Sequence, residues 1–569
     1  MGSSASAEGL NILQRALETQ KMARLSGILE RALVEIKAHR PEKAADLAIE
    51  ALGLDERCGI GWHILAIAQE ARGDFVNALS CYEAALALLP DDEEILVNLG
   101  RLAFRMGMFE VAEGILRHFL SRAPDHAEGV NNLALAIRAQ DRTADAIEVL
   151  RQFITRRPGH ANVWNSLGTM VSDEGDAANA EIFYREALRL EPKLARARYN
   201  LGNLRLNTGE PEAALREVED SMKRPLAADE KAMMTLTKGL AQITLGRLSE
   251  GWANYEARND INFPDGVYFA MNGPRWTPGV PLEGKTLLLI GEQGLGDEVL
   301  FGTLLPDVLE RLGPSGRLTV ALEPRLTALF ERSLPGLGIE PHKTIGVNGR
   351  TVRIVPNLED GGPGFDFWAP MGSLLADFRP DLGSFPDRRG YLRPDPGRVE
   401  HWRRTLEAAP KGPKIGLLWK SAVLTGGRQR FFSPFEDWEP VLRVDGPVFV
   451  NLQYGDCSEE LQFARERFGV EIWSPPGIDL KQDLDDVAAL SCALDLVIGF
   501  SNATFNLAAA AGAPAWLISA KGAWTPLGTD RYPWYPQVRL YQPSMPAEWK
   551  PVLEKIGRDL ARELRAPGG

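Results

Sequence analysis

The chain has 569 residues, of which 44% are hydrophobic and 25% are charged, and its formal net charge at pH 7 is −13. This length predicts several packing units rather than a single core, and the composition is that of a soluble globular protein. The acidic balance argues against binding to nucleic acid or to an anionic membrane, because either partner needs a basic protein surface.

The cysteines and the apolar runs predict a cytoplasmic protein. Cys58, Cys81, Cys457 and Cys492 lie far apart in the sequence and lack the spacing of metal ligands, which indicates free thiols in a reducing compartment. The first residues show no basic segment followed by an apolar stretch, so we expect no secretion signal. No apolar run approaches the roughly 20 residues that a membrane-spanning helix needs.

A period of 34 residues runs through the first half of the chain. It is carried by prolines that close successive units, at Pro90, Pro124, Pro158 and Pro192. Small residues keep the same step, at Ala78, Ala112, Ala146 and Ala180. This is the length and pattern of the tetratricopeptide (TPR) repeat, a pair of helices ended by a proline.

Weaker units flank these four repeats, as the ends of such an array require. Residues 44–51 fit a degenerate first unit, residues 201–214 fit a repeat after Pro192, and residues 239–255 keep the internal spacing of a last one. We therefore predict a flexible N-terminus over 1–20 and a TPR superhelix over 21–260.

An asparagine recurs at one position of the first helix in three of the units, as Asn98, Asn132 and Asn200. A carboxamide can donate to and accept from an extended backbone, and a superhelix brings equivalent positions together on its concave face. These residues predict a site for an acceptor protein. The alternative is that asparagine is only tolerated on a solvated helix face.

The second half of the chain predicts two α/β lobes. A segment rich in proline and glycine over 261–284 reads as a linker. The apolar run that follows is typical of a strand buried in a parallel sheet, and it opens an N-terminal lobe over 285–410. A C-terminal lobe over 411–569 has its predicted strands at 414–419, 448–453, 470–473, 494–499 and 515–519. The predicted fold class is α + α/β, with a TPR solenoid followed by a pair of Rossmann-like lobes.

Four motifs carry a resemblance to known proteins. The glycine-rich segment 291–297 and the segment 495–518 resemble family 9, heptosyltransferase-type glycosyltransferases of the GT-B fold. Residues 251–258 and 531–536 resemble motifs of bacterial TPR-linked relatives, and the asparagines resemble the ladder of the TPR region in O-GlcNAc transferases. The combination is closest to the alphaproteobacterial TPR-linked flagellin glycosyltransferases.

The resemblance implies a cytoplasmic, metal-independent protein O-glycosyltransferase without a resident cofactor. Its donor would be a nucleotide sugar, a CMP-linked nonulosonate of the pseudaminic type, and its acceptor would be Ser or Thr of flagellin held by the TPR array. Asp297 follows the glycine loop, where the related enzymes carry their base, and would take the acceptor proton. The alternative is that Asp297 only caps the helix that follows.

Donor binding needs groups that hold a departing phosphate. Lys420, Arg428 and Arg430 follow the first strand of the second lobe, although Arg428 alone is equally well explained as a solvated loop cation. Gln453 ends the next strand, where it would read the base or ribose. The start of a helix binds anions through its free N–H groups, and polar side chains lie at such a position in the second lobe. The remaining predicted donor-binding residues are these polar residues and the glycines of the loop: Gly294, Gly296, Ser501, Asn502, Thr504 and Asn506.

The sequence also departs from the family, and two rival functions stay open. Heptosyltransferases usually carry Asp-Thr and then His where this chain has Ser501-Asn502 and then Asn506. The difference fits either another donor or lost activity. The rivals are a glycosyltransferase acting on lipopolysaccharide or another glycan, and a non-catalytic TPR adaptor with a degenerate transferase region. Asp483 and Asp485 match a metal-binding pattern but read better as part of an acidic helix start.

Overall fold

The described part of the chain begins with fourteen helices that follow one another without a strand between them. The computed structural model describes residues 4–264, 266–347, 350–358, 364–421 and 431–565. The helices are α1 (Ser4–Lys37), α2 (Pro41–Leu54), α3 (Gly59–Ala71), α4 (Phe75–Leu88), α5 (Glu93–Arg105), α6 (Phe109–Arg122), α7 (Ala127–Arg138), α8 (Thr143–Arg156), α9 (Ala161–Asp173), α10 (Ala177–Leu190), α11 (Ala195–Asn207), α12 (Pro211–Met222), α13 (Ala228–Thr244) and α14 (Leu248–Tyr255).

The prolines that recur every 34 residues follow every second helix. Each lies two residues beyond a helix, after α4, α6, α8 and α10. A proline lacks the N–H that would continue the helical hydrogen bonds, so the chain turns there into the next pair. The predicted TPR architecture is confirmed.

Small residues let the two helices of a pair approach closely. A Cβ built on Gly100 in α5 would lie 2.7 Å from the side chain of Leu116 in α6. The last pair is tighter still, because a Cβ on Gly239 in α13 would lie 2.6 Å from the backbone nitrogen of Tyr255 in α14. Larger residues at these positions would push the helices apart.

The chain divides into two compact units, one formed mainly by residues up to Met170 and the other by residues from Val171 onward. The second unit therefore holds the later repeats as well as the sheets. Its elements after α14 begin with β1 (Val267–Phe269), β2 (Thr286–Ile290), α15 (Leu295–Phe301), α16 (Leu305–Leu312), β3 (Arg317–Leu322), α17 (Thr327–Ser333), β4 (Gly338–Pro341), β5 (Lys343–Val347), β6 (Arg350–Ile354), β7 (Phe367–Pro370), α18 (Leu375–Phe378) and α19 (Pro396–Glu407).

The first large sheet has the order β4-β3-β2-β7, and its described pairings are all parallel. The inner strand β2 is buried from Leu287 to Ile290, as its continuous apolar sequence predicts. A small sheet of order β1-β6-β5 stands apart from it. Its strand β1 lies inside the segment that we predicted as a linker.

The second large sheet is built from the remaining strands in the order β12-β11-β10-β8-β9, again with parallel pairing. Its elements are β8 (Lys414–Leu418), α20 (Glu439–Leu442), β9 (Val448–Asn451), α21 (Ser458–Phe463), α22 (Leu484–Ala493), β10 (Leu496–Phe500), α23 (Ala503–Ala510), β11 (Ala515–Ile518), β12 (Val538–Tyr541) and α24 (Trp549–Arg565). The predicted α + α/β fold class is confirmed.

One predicted strand is wrong. Residues 470–473 form only an isolated bridge, in which Trp473 pairs with Val450 beside β9. Pro475 and Pro476 follow directly and have no N–H to extend the ladder, so pairing stops at this point.

Within the described residues, none of the helices combines the length and the apolar character that crossing a membrane requires.

Candidate functional site

The glycine-rich loop after β2 carries two buried carboxylates, Glu292 and Glu298, each about 1% exposed. The loop begins at the carboxyl end of β2, the edge of a parallel sheet where ligands bind, and leads into α15. A buried carboxylate needs charged or hydrogen-bonding partners. Those partners show how the loop is held.

Glu298 is held by the imidazole of His342 and by the guanidinium of Arg353. One of its oxygens lies 2.7 Å from Nε2 of His342 and 3.4 Å from the Arg353 guanidinium, and the other accepts the Glu323 N–H at 2.8 Å. Arg353 also donates to the backbone carbonyls of Gly291, at 2.6 Å, and of Gln293, at 3.3 Å. This network therefore fixes the course of the loop backbone.

The first glycine of the loop is required by this packing. A Cβ built on Gly291 would lie 2.5 Å from the carboxyl carbon of Glu298. Any other residue at this position would displace the buried carboxylate. The observed neighbour of Gly291 is thus a side chain of α15, and the absence of a side chain at this position serves the packing of the protein itself.

Glu292 forms a buried two-pronged ion pair with Arg258, which lies just after α14. The two N–H···O distances are both 2.8 Å, and the Gly372 N–H donates to the same carboxylate at 2.5 Å. Burial alone would lower the pKa of Arg258, but the Glu292 carboxylate outweighs it and the pKa is raised. The guanidinium also stacks 4.2 Å from the centre of the Tyr255 ring.

Gln293 makes a second link to the end of α14. Its φ is +57°, a backbone conformation that is uncommon for a residue with a side chain. In this conformation its Nε2 donates to the Tyr255 hydroxyl at 2.8 Å. The last helical pair therefore holds the glycine loop through a salt bridge and a hydrogen bond.

Asp297, the predicted base, is half-buried near the start of α15. One carboxylate oxygen accepts the Gly294 N–H at 3.2 Å, as a helix-capping residue does. Burial raises the pKa of both Tyr255 and Tyr532, and the negative charge of Asp297 adds to the shift in each. Asp297 thus lies close enough to both tyrosines for its charge to act on them, and its bond to Gly294 is the one expected of a capping residue.

Two predicted donor-binding residues of the second lobe, Lys420 and Gln453, have partners within the protein. Lys420 follows β8, and its ammonium pairs with Glu460. The Gln453 side chain accepts the Trp419 and Lys420 N–H groups at 3.0 and 2.9 Å and donates to the Tyr454 carbonyl at 2.9 Å. Arg428 and Arg430 lie outside the described residues.

The polar residues at the start of α23 bond to the helix N-terminus and to the glycine loop of the first lobe. Asn502 accepts the Phe505 N–H at 2.9 Å and so caps the helix, while Ser501 is exposed and Thr504 is buried. Asn506 donates to the Gly296 carbonyl at 3.1 Å. A Cβ on Gly296 would lie 3.4 Å from Cα of Ala503, so the glycine loop of the first lobe packs against this helix start.

The three repeat asparagines are half-buried on α5, α7 and α11. The carboxamide of Asn98 lies 3.2 Å from Nε2 of His63 and accepts from Arg101 at 3.1 Å. Nδ2 of Asn132 has no hydrogen-bond partner among the residues that the structure describes. Asn200 has a partner of its own within the protein.

Sequence reasoning did not assign roles to Arg258, Glu292 or Gln293. A signal was present for Arg258 and Glu292, because each is a charged residue inside a glycine-containing motif and their charges are opposite. His342 and Arg353 gave no signal, since only the fold brings them to the loop. In the described ranges, no group of three His, Cys, Asp or Glu side chains is arranged to hold a metal ion.

The acidic pattern at Asp483 and Asp485 is explained by contacts within the protein. Asp485 pairs with Arg332, and Asp483 accepts the Asp479 N–H at 2.9 Å. The aromatic cluster of the second lobe is largely internal, because Tyr532, Trp534 and Tyr535 are at most 3% exposed.

Comparison with known protein families identifies tetratricopeptide repeats in the first half of the chain. The tetratricopeptide repeat family matches residues 29–93, 70–136 and 138–195. A tetratricopeptide repeat protein of Parabacteroides merdae is 14% identical and covers 41% of this chain and 91% of its own, with a TM-score of 0.36. The TPR protein TTC0263 of Thermus thermophilus is 23% identical and covers 32% of this chain and 98% of its own, with a TM-score of 0.29.

A relative matches almost the whole chain. Protein FlbA of Caulobacter vibrioides is 48% identical over 560 residues, which are 98% of this chain and 94% of FlbA. The match therefore takes in the repeats, the glycine loop and both sheets, and the chain belongs to the FlbA family.

Proposed function

We propose that the protein is a cytoplasmic protein O-glycosyltransferase that transfers a sugar from a nucleotide sugar to Ser or Thr of a polypeptide recruited by its repeats. The motif resemblance suggests flagellin as the acceptor and a CMP-linked pseudaminic-type nonulosonate as the donor. The observation that carries the proposal is the position of Asp297, next to a loop that is held by the buried ion pairs Arg258–Glu292 and Arg353–Glu298.

Glycosyl transfer to a hydroxyl needs a base that is held still beside the acceptor. An aspartate that only caps a helix contributes about 1 kcal/mol to stability, and this role does not require the neighbouring loop to be held rigidly. Here Glu292 and Glu298 flank the loop, and each is buried with cationic partners. Support of this kind is typical of functional side chains, whose own geometry is fixed by a surrounding layer of residues.

In this proposal the repeats bind the acceptor protein. Nδ2 of Asn132 is buried and has no hydrogen-bond partner among the residues that the structure describes, so an acceptor carbonyl that reached it would satisfy that group, whereas Asn98 already bonds to His63 and Arg101. We expect Asn132→Ala to weaken capture of purified flagellin by the full chain more than Asn98→Ala does. Equal binding by wild type and both variants would remove the asparagines from the account.

The decisive test is Asp297→Asn, assayed as sugar incorporation into purified flagellin. Asparagine keeps the shape and can still accept the Gly294 N–H, but it cannot take a proton. Turnover should fall by about 10²–10⁴-fold, the usual contribution of a general base. Thermal unfolding and flagellin capture should match wild type, and a normal transfer rate in the variant would show that Asp297 is not the base.

A non-catalytic adaptor is the second candidate, and one observation favours it. Lys420, Gln453 and Asn506, three of the predicted donor-binding residues, are engaged with other parts of the protein. An adaptor predicts that flagellin is captured but not modified by the purified wild-type protein with any of CMP-, UDP-, GDP- or ADP-linked donors. The same assay with wild type therefore separates the two functions.

A further inference from the structure

A pocket of about 300 Å³ lies beside the glycine loop, on the side that faces the last helical pair. Its walls come from α13, from the end of α14, from the segment before β1, and from the loop itself. The apolar walls are Leu236, Leu240, Phe263, Val267 and Trp524.

The charged groups in the wall cancel one another. Arg258 and Glu292 both line the pocket, but they are the two halves of the buried ion pair, with exposures of 5% and 1%. Neither is available to an anionic ligand without breaking that pair, which would leave a buried charge uncompensated. The pocket therefore suits a neutral, apolar group and not a phosphate or a sugar carboxylate.

The aromatic wall is rigid. Trp524 packs against Trp252, Tyr255 and Trp534, with ring centres 5.8 to 6.2 Å apart. Side chains held in this way lose little further freedom when a ligand binds, so an apolar occupant gains nearly all of its burial energy. The pocket is thus preformed for a side chain of the size of leucine or phenylalanine.

Its position connects the repeats with the loop. Leu236 and Leu240 flank Thr237 on α13, and the Thr237 hydroxyl donates to Asn203 of α11 at 3.1 Å. On the other side, Gln293 lines the pocket only four residues before Asp297. The pocket is therefore bounded by a helix of the last repeat pair and by the loop that leads to Asp297.

We propose that this pocket holds an apolar side chain of the acceptor polypeptide, close to the Ser or Thr that is modified, and so selects acceptor sequences. The inference rests on the proposed transferase function. An extended chain advances about 3.3 Å per residue, so the selected side chain lies within a few residues of the acceptor hydroxyl.

The experiment changes the volume of the pocket in the full chain and measures transfer to flagellin. Leu236→Trp fills the pocket, and it should raise KM for flagellin at least about tenfold with kcat little changed, because it removes binding rather than chemistry. Leu236→Ala enlarges it and should shift preference toward flagellin variants with a larger apolar residue near the modified site. The control is Lys231→Trp, an exposed position on the same helix, which should leave KM unchanged.

The possible outcomes are distinct. If wild type transfers sugar and both Leu236 variants keep the wild-type KM and acceptor preference, the pocket proposal is wrong while the transferase function stands. If wild type transfers none, the proposed function itself fails. Should Leu236→Trp not fold, as judged by circular dichroism, the changed acceptor preference of Leu236→Ala decides the matter alone.

Discussion

His63 is a buried imidazole whose protonation opposes folding. It is 8% exposed, and its Nε2 lies 3.2 Å from Nδ2 of Asn98, an arrangement that suits an imidazole nitrogen accepting a hydrogen bond. Burial lowers the pKa of His63 below its usual 6.5, and the carboxylates of Asp92 and Glu94 offset this only in part. The folded protein therefore prefers neutral His63.

This preference predicts a pH dependence of stability. Below pH 6.5 the unfolded chain binds a proton at His63 that the folded chain resists, so the free energy of unfolding falls as the pH drops, by at most about 1.4 kcal/mol per pH unit. Above pH 6.5 the contribution is fully present. Thermal unfolding between pH 5 and 7.5 should show a shallower loss in His63→Gln than in wild type, and parallel curves would contradict the assignment.

The Arg258–Glu292 pair predicts a large effect from a small change. Glu292→Gln keeps the volume but removes the carboxylate that makes both 2.8 Å contacts with the buried guanidinium, and only Glu256, at 3.3 Å, remains as a counter-charge. Breaking a buried pair costs about 3–5 kcal/mol, and we expect a loss toward the lower end of that range. The matched control is Glu439→Gln, which breaks an exposed pair with Arg443 and should cost at most about 0.5 kcal/mol. Similar thermal unfolding of the two variants would show that the buried pair does not stabilise the loop.

At this scale the sequence predicts types of residue better than their partners. The glycine loop and Asp297 can be recognised as a motif in the sequence because they are contiguous and follow a strand. The pairing of Arg258 with Glu292 spans 34 residues, and that of Lys420 with Glu460 spans 40, so neither has a local signal. Such contacts depend on tertiary structure, and they decide whether a charged side chain is available to a ligand.

Among the elements, those with a strong period were predicted and those with weak patterns were not. The repeats follow a 34-residue step that each helix pair must satisfy in order to pack on its neighbours. By contrast, β1 has three residues and lies among prolines and glycines, where a strand has no distinctive pattern. The error at 470–473 has the same origin, since four apolar-rich residues do not reveal that only Trp473 will pair.

A loop of the second sheet region packs directly on the ends of repeat helices. A Cβ on Gly528 would lie 2.7 Å from the backbone nitrogen of Gly246, just beyond α13, and one on Gly522 would lie 1.9 Å from the Leu206 carbonyl in α11. Glycine at these positions lets two backbones touch, a contact that no side chain could reproduce. The loop therefore connects the later repeats firmly to the sheet region.

The difference in stability between Gly528→Ala and Gly477→Ala measures the cost of crowding this backbone contact. Both glycines have φ of +75°, so alanine costs about 1–2 kcal/mol at each from backbone strain. Gly477 has no neighbouring atom within 4 Å of the added Cβ, whereas Gly528 meets the backbone of residues 244–246. Gly528→Ala should therefore be less stable than Gly477→Ala by about 1–3 kcal/mol in thermal unfolding, the usual cost of overpacking. Equal losses would show that the contact yields without cost.

In the molecule as a whole, the end of the repeats and the sheets share one core. Leu248, Trp252 and Tyr255 of α14 belong to the same buried cluster as Leu287 of β2 and Leu527 of the second lobe. The Trp252 indole also donates to the Arg379 carbonyl at 2.8 Å. The last repeat is thus part of the core of the sheet region, although its sequence period assigns it to the array.

This shared core predicts where the chain can be cut. A fragment of residues 1–260 contains every predicted repeat, but it would expose Trp252 and Tyr255, which are each 3% exposed in the whole chain. A fragment of residues 1–158 ends at a closing proline within the first compact unit and retains the whole buried cluster that includes Ile64, Tyr82 and Leu99. Burying one large side chain is worth about 1.5–3 kcal/mol, so the longer fragment loses several such contributions and gains a large exposed apolar patch. We expect residues 1–158 to elute as a single species in size-exclusion chromatography and to leave the fluorescence of a hydrophobic dye unchanged, while residues 1–260 associate and raise it. If residues 1–260 behave as well as 1–158, the last repeat does not depend on the sheets, and the repeats would form an independent domain up to residue 260.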